Sequence, residues 1–371
     1  MHLFGSIVQT AVPEYKRWNT LSGRHMNNSY LRGPWPTFFR TLHLSRFMKL
    51  NDSNMKPLLL VLVFLSEEHR ALVSERFEMI YAPNAALGAD RSNGQAQIAA
   101  RGADIRVVLT NGTNGLLAEE LAQLPKVELI CTVGVGFENV AVDAARARGI
   151  PVCNAAGTND DAVADHAMAI LLAAIRRVPF LNNGVRHGLW RDDIPRPPHV
   201  SGRKMGIFGL GAIGKKIAKR ASGFDMEIGY HSRTRRDETG FRWFDDIQSL
   251  AAWCDFLIIA APGGKATYHI VNKEVLDALG PQGVVVNVAR GTLVDTNAVA
   301  DALRNKSIWA AALDVYENEP TPPAPLLEFE NAILTPHIGG ISPQAIHASV
   351  VRFLENAEAH YSGKPLLTQV N

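Results

Sequence analysis

The sequence has little of several features that mark particular classes of protein. It contains only three cysteines in 371 residues, Cys131, Cys153 and Cys254, which are far apart and lie beside apolar residues. This spacing argues against a disulfide framework and a metal site, and indicates reduced thiols. No apolar run approaches the roughly 18 residues needed to cross a bilayer, and the formal net charge is only +2. We therefore expect a cytoplasmic protein without a metal, whose partners include neither nucleic acid nor a membrane.

Residues 1–54 lack the pattern seen in the rest of the chain. They contain seven Lys or Arg against two acids and show no sustained hydrophobic period. Such a segment fits a disordered tail, an organelle transit peptide, or an upstream start with Met55 as the true first residue. We predict that residues 1–54 are a disordered or non-native extension.

From residue 56 onward, short apolar runs alternate with stretches of helical periodicity. Residues 58–64 form a continuous apolar run, as in a strand buried on both faces, and further strands are expected at 105–109, 128–132 and 151–154. A long Ala-rich helix is predicted over 160–178, ended by Pro179, and residues 180–200 have no clear period. The amphipathic tail, 343–362, is long enough to return to this first unit.

The stretch 203–236 contains a strand, a glycine turn, a helix and a second strand. Gly209, Gly211 and Gly214 have the GxGxxG spacing, in which the first glycine makes the turn, the second admits a pyrophosphate and the third lets the helix pack on the strand. A tight turn without a ligand is the alternative. Because the motif has a strand on each side of its helix, we favour a dinucleotide site.

The end of the second strand bears on which dinucleotide binds. NAD sites commonly have an acid about 20 residues after the motif, bound to the ribose hydroxyls. Here Ser232, Arg233 and Arg235 stand in that region instead. Arginine binds a phosphate through two hydrogen bonds, whereas a carboxylate would repel it. We predict NADPH as the preferred cofactor, with NADH possible. The alternative is that these arginines form an exposed, solvated loop that does not contact the cofactor.

Three reactive side chains follow consecutive strands of this second unit. Arg290 comes after the strand at 284–288, Glu319 after the strand at 310–313, and His337 after the strand at 333–334. The carboxyl ends of parallel strands meet at the ligand crevice, so we expect the three to converge. Together they suit reduction of a carbonyl beside a carboxylate: His337 donates the proton, Glu319 keeps it protonated and Arg290 binds the substrate.

The first unit is expected to supply the rest of the substrate site. Residues 132–138 form a glycine-rich loop after a strand, and its free N–H groups can bind a carboxylate. We predict that Val135 and Gly136 bind the substrate, and that Asn111 and Gly112 after the neighbouring strand do the same. A plain strand-to-helix turn is the alternative.

These motifs resemble the D-isomer-specific 2-hydroxyacid dehydrogenase family over about residues 57–370. The resemblance rests on GVGFENVAVDAA (134–145), GLGAIG (209–214), NVARGTLVD (287–295), DVYENEP (314–320) and TPHIGG (335–340). It implies that Arg290, Glu319 and His337 are catalytic, that Asp314 lies near the nicotinamide amide, and that Ser232 and Arg233 set cofactor specificity. It also implies a homodimer joined through the helix at 160–178 and the following loop. The chain departs from the family in having Glu138 where Asp is common and Asn111 where several members have Arg.

The resemblance is greatest to the NADPH-preferring glyoxylate and hydroxypyruvate reductases, which implies reduction of glyoxylate to glycolate and of hydroxypyruvate to D-glycerate. Two alternatives remain: an NAD-dependent phosphoglycerate-type dehydrogenase, and a dinucleotide-sensing scaffold like the corepressors called C-terminal-binding proteins. The full set of predicted cofactor contacts is Gly209, Leu210, Gly211, Ala212, Ile213, Gly214, Ser232, Arg233, Arg235, Ala261, Pro262, Val288, Ala289, Asp314 and Gly339.

The predicted fold class is α/β, with two Rossmann-like, doubly wound parallel-sheet domains and an active-site cleft between them. We assign residues 55–157 plus 342–371 to a flavodoxin-like substrate domain. Residues 158–341 form the predicted NAD(P)-binding Rossmann domain.

Overall fold

The computed structural model describes residues 56–84, 90–194 and 196–371. Within these ranges the strands form two parallel sheets, one of five strands and one of seven. This confirms the predicted α/β class with two doubly wound sheets. The predictions for residues 1–54 lie outside the described residues. Among the described helices, none is both long and apolar enough to cross a membrane.

The first sheet has two buried faces, which explains its continuous apolar strands. Leu59 and Val61 pack into one core cluster, and Leu58 and Leu60 into another. Its described strands, in the order β2-β1-β3-β4-β5, are β1 (Leu58–Val61), β2 (Glu78–Tyr81), β3 (Val107–Thr110), β4 (Leu129–Thr132) and β5 (Val152–Cys153). The connecting helices are α1 (Glu67–Ser74), α2 (Ser92–Arg101), α3 (Ala118–Ala122) and α4 (Val142–Ala147).

The second sheet begins with the strand that precedes the glycine turn. Its described strands are β6 (Lys204–Phe208), β7 (Glu227–His231), β8 (Arg242–Trp243), β9 (Phe256–Ile259), β10 (Val284–Asn287), β11 (Ala310–Leu313) and β12 (Ala332–Leu334). They lie in the order β12-β11-β10-β9-β6-β7-β8. Its helices are α7 (Ala212–Ser222), α8 (Ile247–Trp253), α9 (Lys273–Leu279) and α10 (Thr296–Arg304). The order reverses at β6, so the glycine turn lies at the switch point where such sheets bind ligands.

Two helices, rather than one helix and a loop, connect the two sheets. The first is α5 (Asp160–Ile175), which is apolar over most of its surface and packs into the core of the second sheet. Its N-cap is Asn159, whose side chain makes no capping hydrogen bond. Arg177 then adopts a left-handed conformation, with φ of 52°, and a second helix, α6 (Val178–Arg186), begins.

The prediction that Pro179 ends the helical region was therefore wrong. Pro179 lies in the first turn of α6, where a proline is tolerated because the N–H groups there have no intrahelical partner. The predicted aperiodic segment, 180–200, accordingly starts with helix, and after residue 186 its described part keeps only a short 3₁₀ helix at Arg191–Asp193.

The last helix, α11 (Pro343–Tyr361), returns to the first sheet. Val350, Phe353 and Ala357 pack into the same core cluster as Leu59 and Val61 of β1. Beyond the helix, the Asn371 side chain accepts a hydrogen bond from the Val152 N–H at 2.8 Å. The exact domain boundaries, 55–157 plus 342–371 and 158–341, stay a prediction.

Candidate active site

The turn between β6 and α7 has the geometry that its glycines predict. Gly209 has a φ of 102°, and a Cβ there would lie 2.6 Å from the Ala261 nitrogen. A Cβ on Gly214 would lie 2.1 Å from the Gly209 carbonyl oxygen, so glycine alone allows α7 to pack this closely on β6. Gly211 precedes α7 and faces open space, with nothing within 4 Å of its Cβ position. The turn therefore fits a pyrophosphate at the helix N-terminus.

Alanine at two positions of this turn should have different effects. Gly214→Ala puts a methyl group against backbone, and we expect the free energy of unfolding to fall by about 1–3 kcal/mol. Gly211→Ala is the matched control: it should leave the free energy of unfolding unchanged and raise the KM for the cofactor. Urea denaturation and cofactor kinetics measure the two effects. Equal stability of the two variants would contradict the assigned packing roles.

The residues after β7 differ in the hydrogen bonds and ion pairs that their side chains make. The Ser232 hydroxyl donates to the Thr234 carbonyl at 2.7 Å. Arg235 donates from Nε to the Asp237 carboxylate at 2.5 Å. Arg233 is exposed and makes no hydrogen bond or ion pair with another described residue. Of the two predicted arginines, Arg233 is therefore the one whose guanidinium is available to a ligand, and its role stays a prediction.

The other predicted cofactor residues share one edge of the second sheet. They follow the carboxyl ends of β6, β9, β10, β11 and β12, as expected for a ligand crevice in a parallel sheet. These residues are Leu210, Ala212, Ile213, Ala261, Pro262, Val288, Ala289, Asp314 and Gly339.

The predicted proton donor and its acid are hydrogen-bonded. His337 Nδ1 lies 2.6 Å from Glu319 Oε2, and the other oxygen of Glu319 accepts from the Tyr316 N–H at 2.8 Å. The hydrogen bond to Glu319 raises the pKa of His337 above its ordinary value, and burial only partly opposes it. His337 Nε2 is left as the nitrogen that can face a substrate.

The predicted substrate arginine is bound to an acid of the first sheet. Arg290 Nε donates to Glu138 Oε1 at 2.6 Å, although the two residues are 152 positions apart. Nη1 donates to the Ala289 carbonyl at 2.7 Å, and the Arg290 carbonyl accepts from Asn287 Nδ2 at 2.9 Å. Burial tends to raise the pKa of Glu138, but the Arg290 charge and hydrogen bonds outweigh it and lower that pKa. Glu138 is therefore ionised at neutral pH and forms an ion pair with Arg290.

The glycine-rich loop after β4 has unused N–H groups beside this ion pair. Within the described residues, the N–H groups of Val135 and Gly136 donate no hydrogen bond to the protein. The Val135 carbonyl accepts from Asn154 Nδ2 at 2.8 Å, which fixes the loop. The neighbouring Asn111 uses its side-chain oxygen to accept from the Asn114 N–H at 2.6 Å, so its amide serves a local turn.

Asp314 is buried, and its carboxylate organises the loop that carries His337. Its oxygens accept from the Thr335 hydroxyl at 2.6 Å and from the N–H groups of Ile338 and Gly339 at 3.0 and 2.8 Å. Burial acts to raise the pKa of Asp314, and the hydrogen bonds around it reverse the effect and lower that pKa. His166 of α5 completes the group, with Nε2 2.9 Å from the Thr335 hydroxyl.

Comparison with known proteins gives the family. Residues 168–339 match the model described as D-isomer specific 2-hydroxyacid dehydrogenase, NAD binding domain. Hydroxyphenylpyruvate reductase of Plectranthus scutellarioides is 38% identical over 276 residues, which are 74% of this chain and 88% of that protein. Glyoxylate/hydroxypyruvate reductase A of Arabidopsis thaliana is 37% identical over 267 residues, 72% of this chain and 85% of that protein. The chain belongs to the D-isomer specific 2-hydroxyacid dehydrogenase family.

Solved structures agree with this assignment. An NADPH-dependent glyoxylate/hydroxypyruvate reductase of Sinorhizobium meliloti, in complex with NADP and malonate, has a TM-score of 0.75 and 35% identity. The match covers 85% of this chain and 97% of that one. A 2-hydroxyacid dehydrogenase of Ketogulonicigenium vulgare has a TM-score of 0.77 at 32% identity, with 85% and 99% covered. This dehydrogenase is therefore an oxidoreductase with a nicotinamide-dinucleotide domain.

Two polar residues of the site had no role in the prediction from sequence. Glu138 was noticed only as a departure from the family pattern, and its ion pair with Arg290 joins loops of different sheets. His166 is a single histidine in an apolar helix, a pattern more typical of core packing. An acid within a glycine-rich loop after a strand is the one signal that could have indicated Glu138.

The His337 pair gives this dehydrogenase an expected pH dependence. A proton donor must be protonated, so the rate of reduction should be high below the raised pKa of His337 and fall as the pH rises through it. Glu319→Gln removes the charge that raises this pKa, and we expect the fall to move down by about one pH unit or more. The pH profile of kcat/KM measures it. Glu328→Gln, an exposed partner of Arg304, is the control, and an unmoved profile in Glu319→Gln would contradict the pairing.

Proposed function

We propose that the protein reduces small 2-oxoacids with NADPH, converting glyoxylate to glycolate and hydroxypyruvate to D-glycerate. The observation that carries the proposal is the convergence of the His337–Glu319 pair and the Arg290–Glu138 pair, each bonded at 2.6 Å, beside the unused N–H groups of Val135 and Gly136. A protonated imidazole, a guanidinium and unused amides are the groups that bind and reduce a carbonyl next to a carboxylate.

The residues present fit a nicotinamide dinucleotide. Open space beside Gly211 and the N-terminus of α7 suit the pyrophosphate, and the exposed Arg233 suits a 2′-phosphate. Ser232 and Arg233 would bind the adenosine side, while residues after β9 and β10 would line the nicotinamide side. When bound, the reduced cofactor supplies a hydride to the carbonyl carbon of the substrate.

The protein's own groups perform the remaining steps. Arg290 and the N–H groups of Val135 and Gly136 bind the substrate carboxylate, which aligns the carbonyl. His337 donates its proton from Nε2 to the carbonyl oxygen, and Glu319 stabilises the imidazolium before transfer. In the reverse direction, the neutral imidazole takes the proton from the hydroxyl group of the 2-hydroxyacid.

We also propose that the dehydrogenase is a homodimer joined through α5, α6 and the segment that follows. On this surface Val178, Val185 and Trp190 are 52%, 57% and 64% exposed, and neighbouring exposed apolar side chains favour a protein–protein contact. Sedimentation equilibrium should give twice the chain mass. A monomer at micromolar concentration would contradict this part of the proposal.

A panel of 2-oxoacids assayed with both nicotinamide cofactors tests the activity. We expect the highest kcat/KM with NADPH and either glyoxylate or hydroxypyruvate. A preference for NADH would overturn the cofactor assignment and favour the phosphoglycerate-type alternative. No oxidation of NADPH with any 2-oxoacid would overturn the enzymatic proposal and favour the dinucleotide-sensing scaffold.

A further inference from the structure

Glu138 lies where a substrate carboxylate is expected, although an acid at that place repels an anion. We infer that Glu138 is a positioning residue: by binding Arg290 Nε it directs the remaining nitrogen of the guanidinium, Nη2, toward Gly136 and the substrate. This rests on the proposed function. This role adds to the site a residue from a loop of the first sheet. It predicts that replacing Glu138 lowers kcat and raises the affinity for anions.

The Glu138 side chain is half exposed, and its carboxylate has close neighbours on more than one side. Oε1 accepts from Arg290 Nε at 2.6 Å. A Cβ on Gly136 would lie 2.6 Å from Oε2, and a Cβ on Gly112 would lie 2.7 Å from the same atom. The carboxylate thus fills the space between two glycines that we assign to the substrate site. A larger residue at either glycine would displace it.

The guanidinium of Arg290 is correspondingly restricted. Nη1 donates to the Ala289 carbonyl at 2.7 Å. A Cβ on Gly263 would lie 3.3 Å from Arg290 Cβ and 3.1 Å from its Cγ, so the base of the side chain packs against backbone. Nη2 is directed toward Gly136, 3.2 Å from the Cβ position there. The single N–H of Nε and one of the two N–H groups of Nη1 are occupied, whereas neither N–H of Nη2 has an acceptor among the described residues, so Nη2 is the nitrogen most available to a substrate.

The balance of charge argues that Glu138 serves orientation rather than affinity. Within the described residues, the site pairs two cations, Arg290 and His337, with two acids, Glu138 and Glu319. A 2-oxoacid is an anion, so Glu138 lowers the attraction that Arg290 exerts on it. If the residue at position 138 contributed only to substrate affinity, a neutral glutamine would serve better than a negatively charged glutamate. Glu138 is explained if a fixed guanidinium increases the rate of the chemical step, for which alignment matters most.

Replacing Glu138 should therefore affect turnover and anion binding in opposite directions. We expect kcat for the best 2-oxoacid to fall about tenfold in Glu138→Gln, which keeps an oxygen acceptor, and about 100-fold in Glu138→Ala, which keeps none. Oxamate, a carboxylate anion with an amide carbonyl in place of the aldehyde of glyoxylate, should bind both variants several-fold more tightly than the wild type. Titration calorimetry with the NADP-loaded protein measures oxamate binding, and steady-state kinetics measure kcat.

Two further variants separate positioning from a structural role. Asp143→Asn removes an exposed acid of the following helix, ion-paired with Arg146, and should change neither quantity. In an Arg290→Lys background, which has no Nε donor, Glu138→Ala should cause little additional loss of kcat. A full additional loss there would overturn the inference, because Glu138 would then act independently of Arg290.

The outcomes also distinguish this inference from the proposed function. Unchanged kcat, or weaker oxamate binding together with a lower Tm, would overturn the positioning role while leaving the reductase activity intact. If the wild type reduces no 2-oxoacid, the proposed function fails. Oxamate binding to the Glu138 variants then still tests whether the Glu138 charge opposes an anion bound at Arg290. Unchanged oxamate affinity in Glu138→Gln would overturn the inference, because the Glu138 charge would then not face the anion site.

Discussion

Replacing His337 by glutamine is expected to lower kcat for 2-oxoacid reduction by about 10²- to 10⁴-fold, the usual contribution of a general acid. Glutamine keeps a polar side chain of similar size but has no proton that it can release. Glu319 would remain beside it, since its second oxygen is bound by the Tyr316 N–H at 2.8 Å. The KM for the substrate should change much less, because Arg290 and the loop amides bind the carboxylate. Steady-state kinetics over a range of pH measure both constants.

The matched control for this prediction is His199→Gln, an exposed histidine outside the described helices and strands. It should leave kcat and its pH profile unchanged. His337→Gln should also lose the fall in rate that the wild type shows at high pH, since that fall reports the imidazole. Near-normal turnover in His337→Gln would mean that another group donates the proton.

The strands could be predicted from sequence where both faces of a sheet are buried. β1 and β10 are continuous apolar runs, and each was expected within a few residues of its observed bounds. β2 and β8 were not predicted, because their residues are partly exposed and their hydrophobic pattern is weak. Short edge strands form through neighbours that the local sequence does not reveal.

The candidate catalytic set could be predicted because topology alone brings strand ends together. Arg290, Glu319 and His337 follow β10, β11 and β12, which are adjacent in the second sheet. The partner of Arg290 could not be found in this way. Glu138 lies in a loop that follows a strand of the other sheet, and a contact across 152 residues depends on how the two sheets are arranged and on side-chain direction. The left-handed Arg177 between α5 and α6 is a similar case, since arginine has no intrinsic preference for that conformation.

The second large effect is expected at the end of β7. Arg233→Ala should raise the KM for NADPH by about 10- to 100-fold and leave the KM for NADH nearly unchanged, because a hydrogen bond between charged groups contributes about 1.5–3 kcal/mol. Arg233 is the arginine to test, since Arg235 already binds Asp237 at 2.5 Å. The measurement is the ratio of kcat/KM for the two cofactors with one 2-oxoacid.

Two variants sharpen this test of cofactor choice. Arg233→Lys keeps the charge but loses the planar fork that binds two phosphate oxygens, so its loss with NADPH should be intermediate. Lys219→Ala removes an exposed cation from α7 and should affect the two cofactors equally and weakly. If Arg233→Ala weakened NADPH and NADH to the same extent, the arginine would not be binding the 2′-phosphate. The preference would then have to come from Ser232 or from the shape of the adenosine pocket.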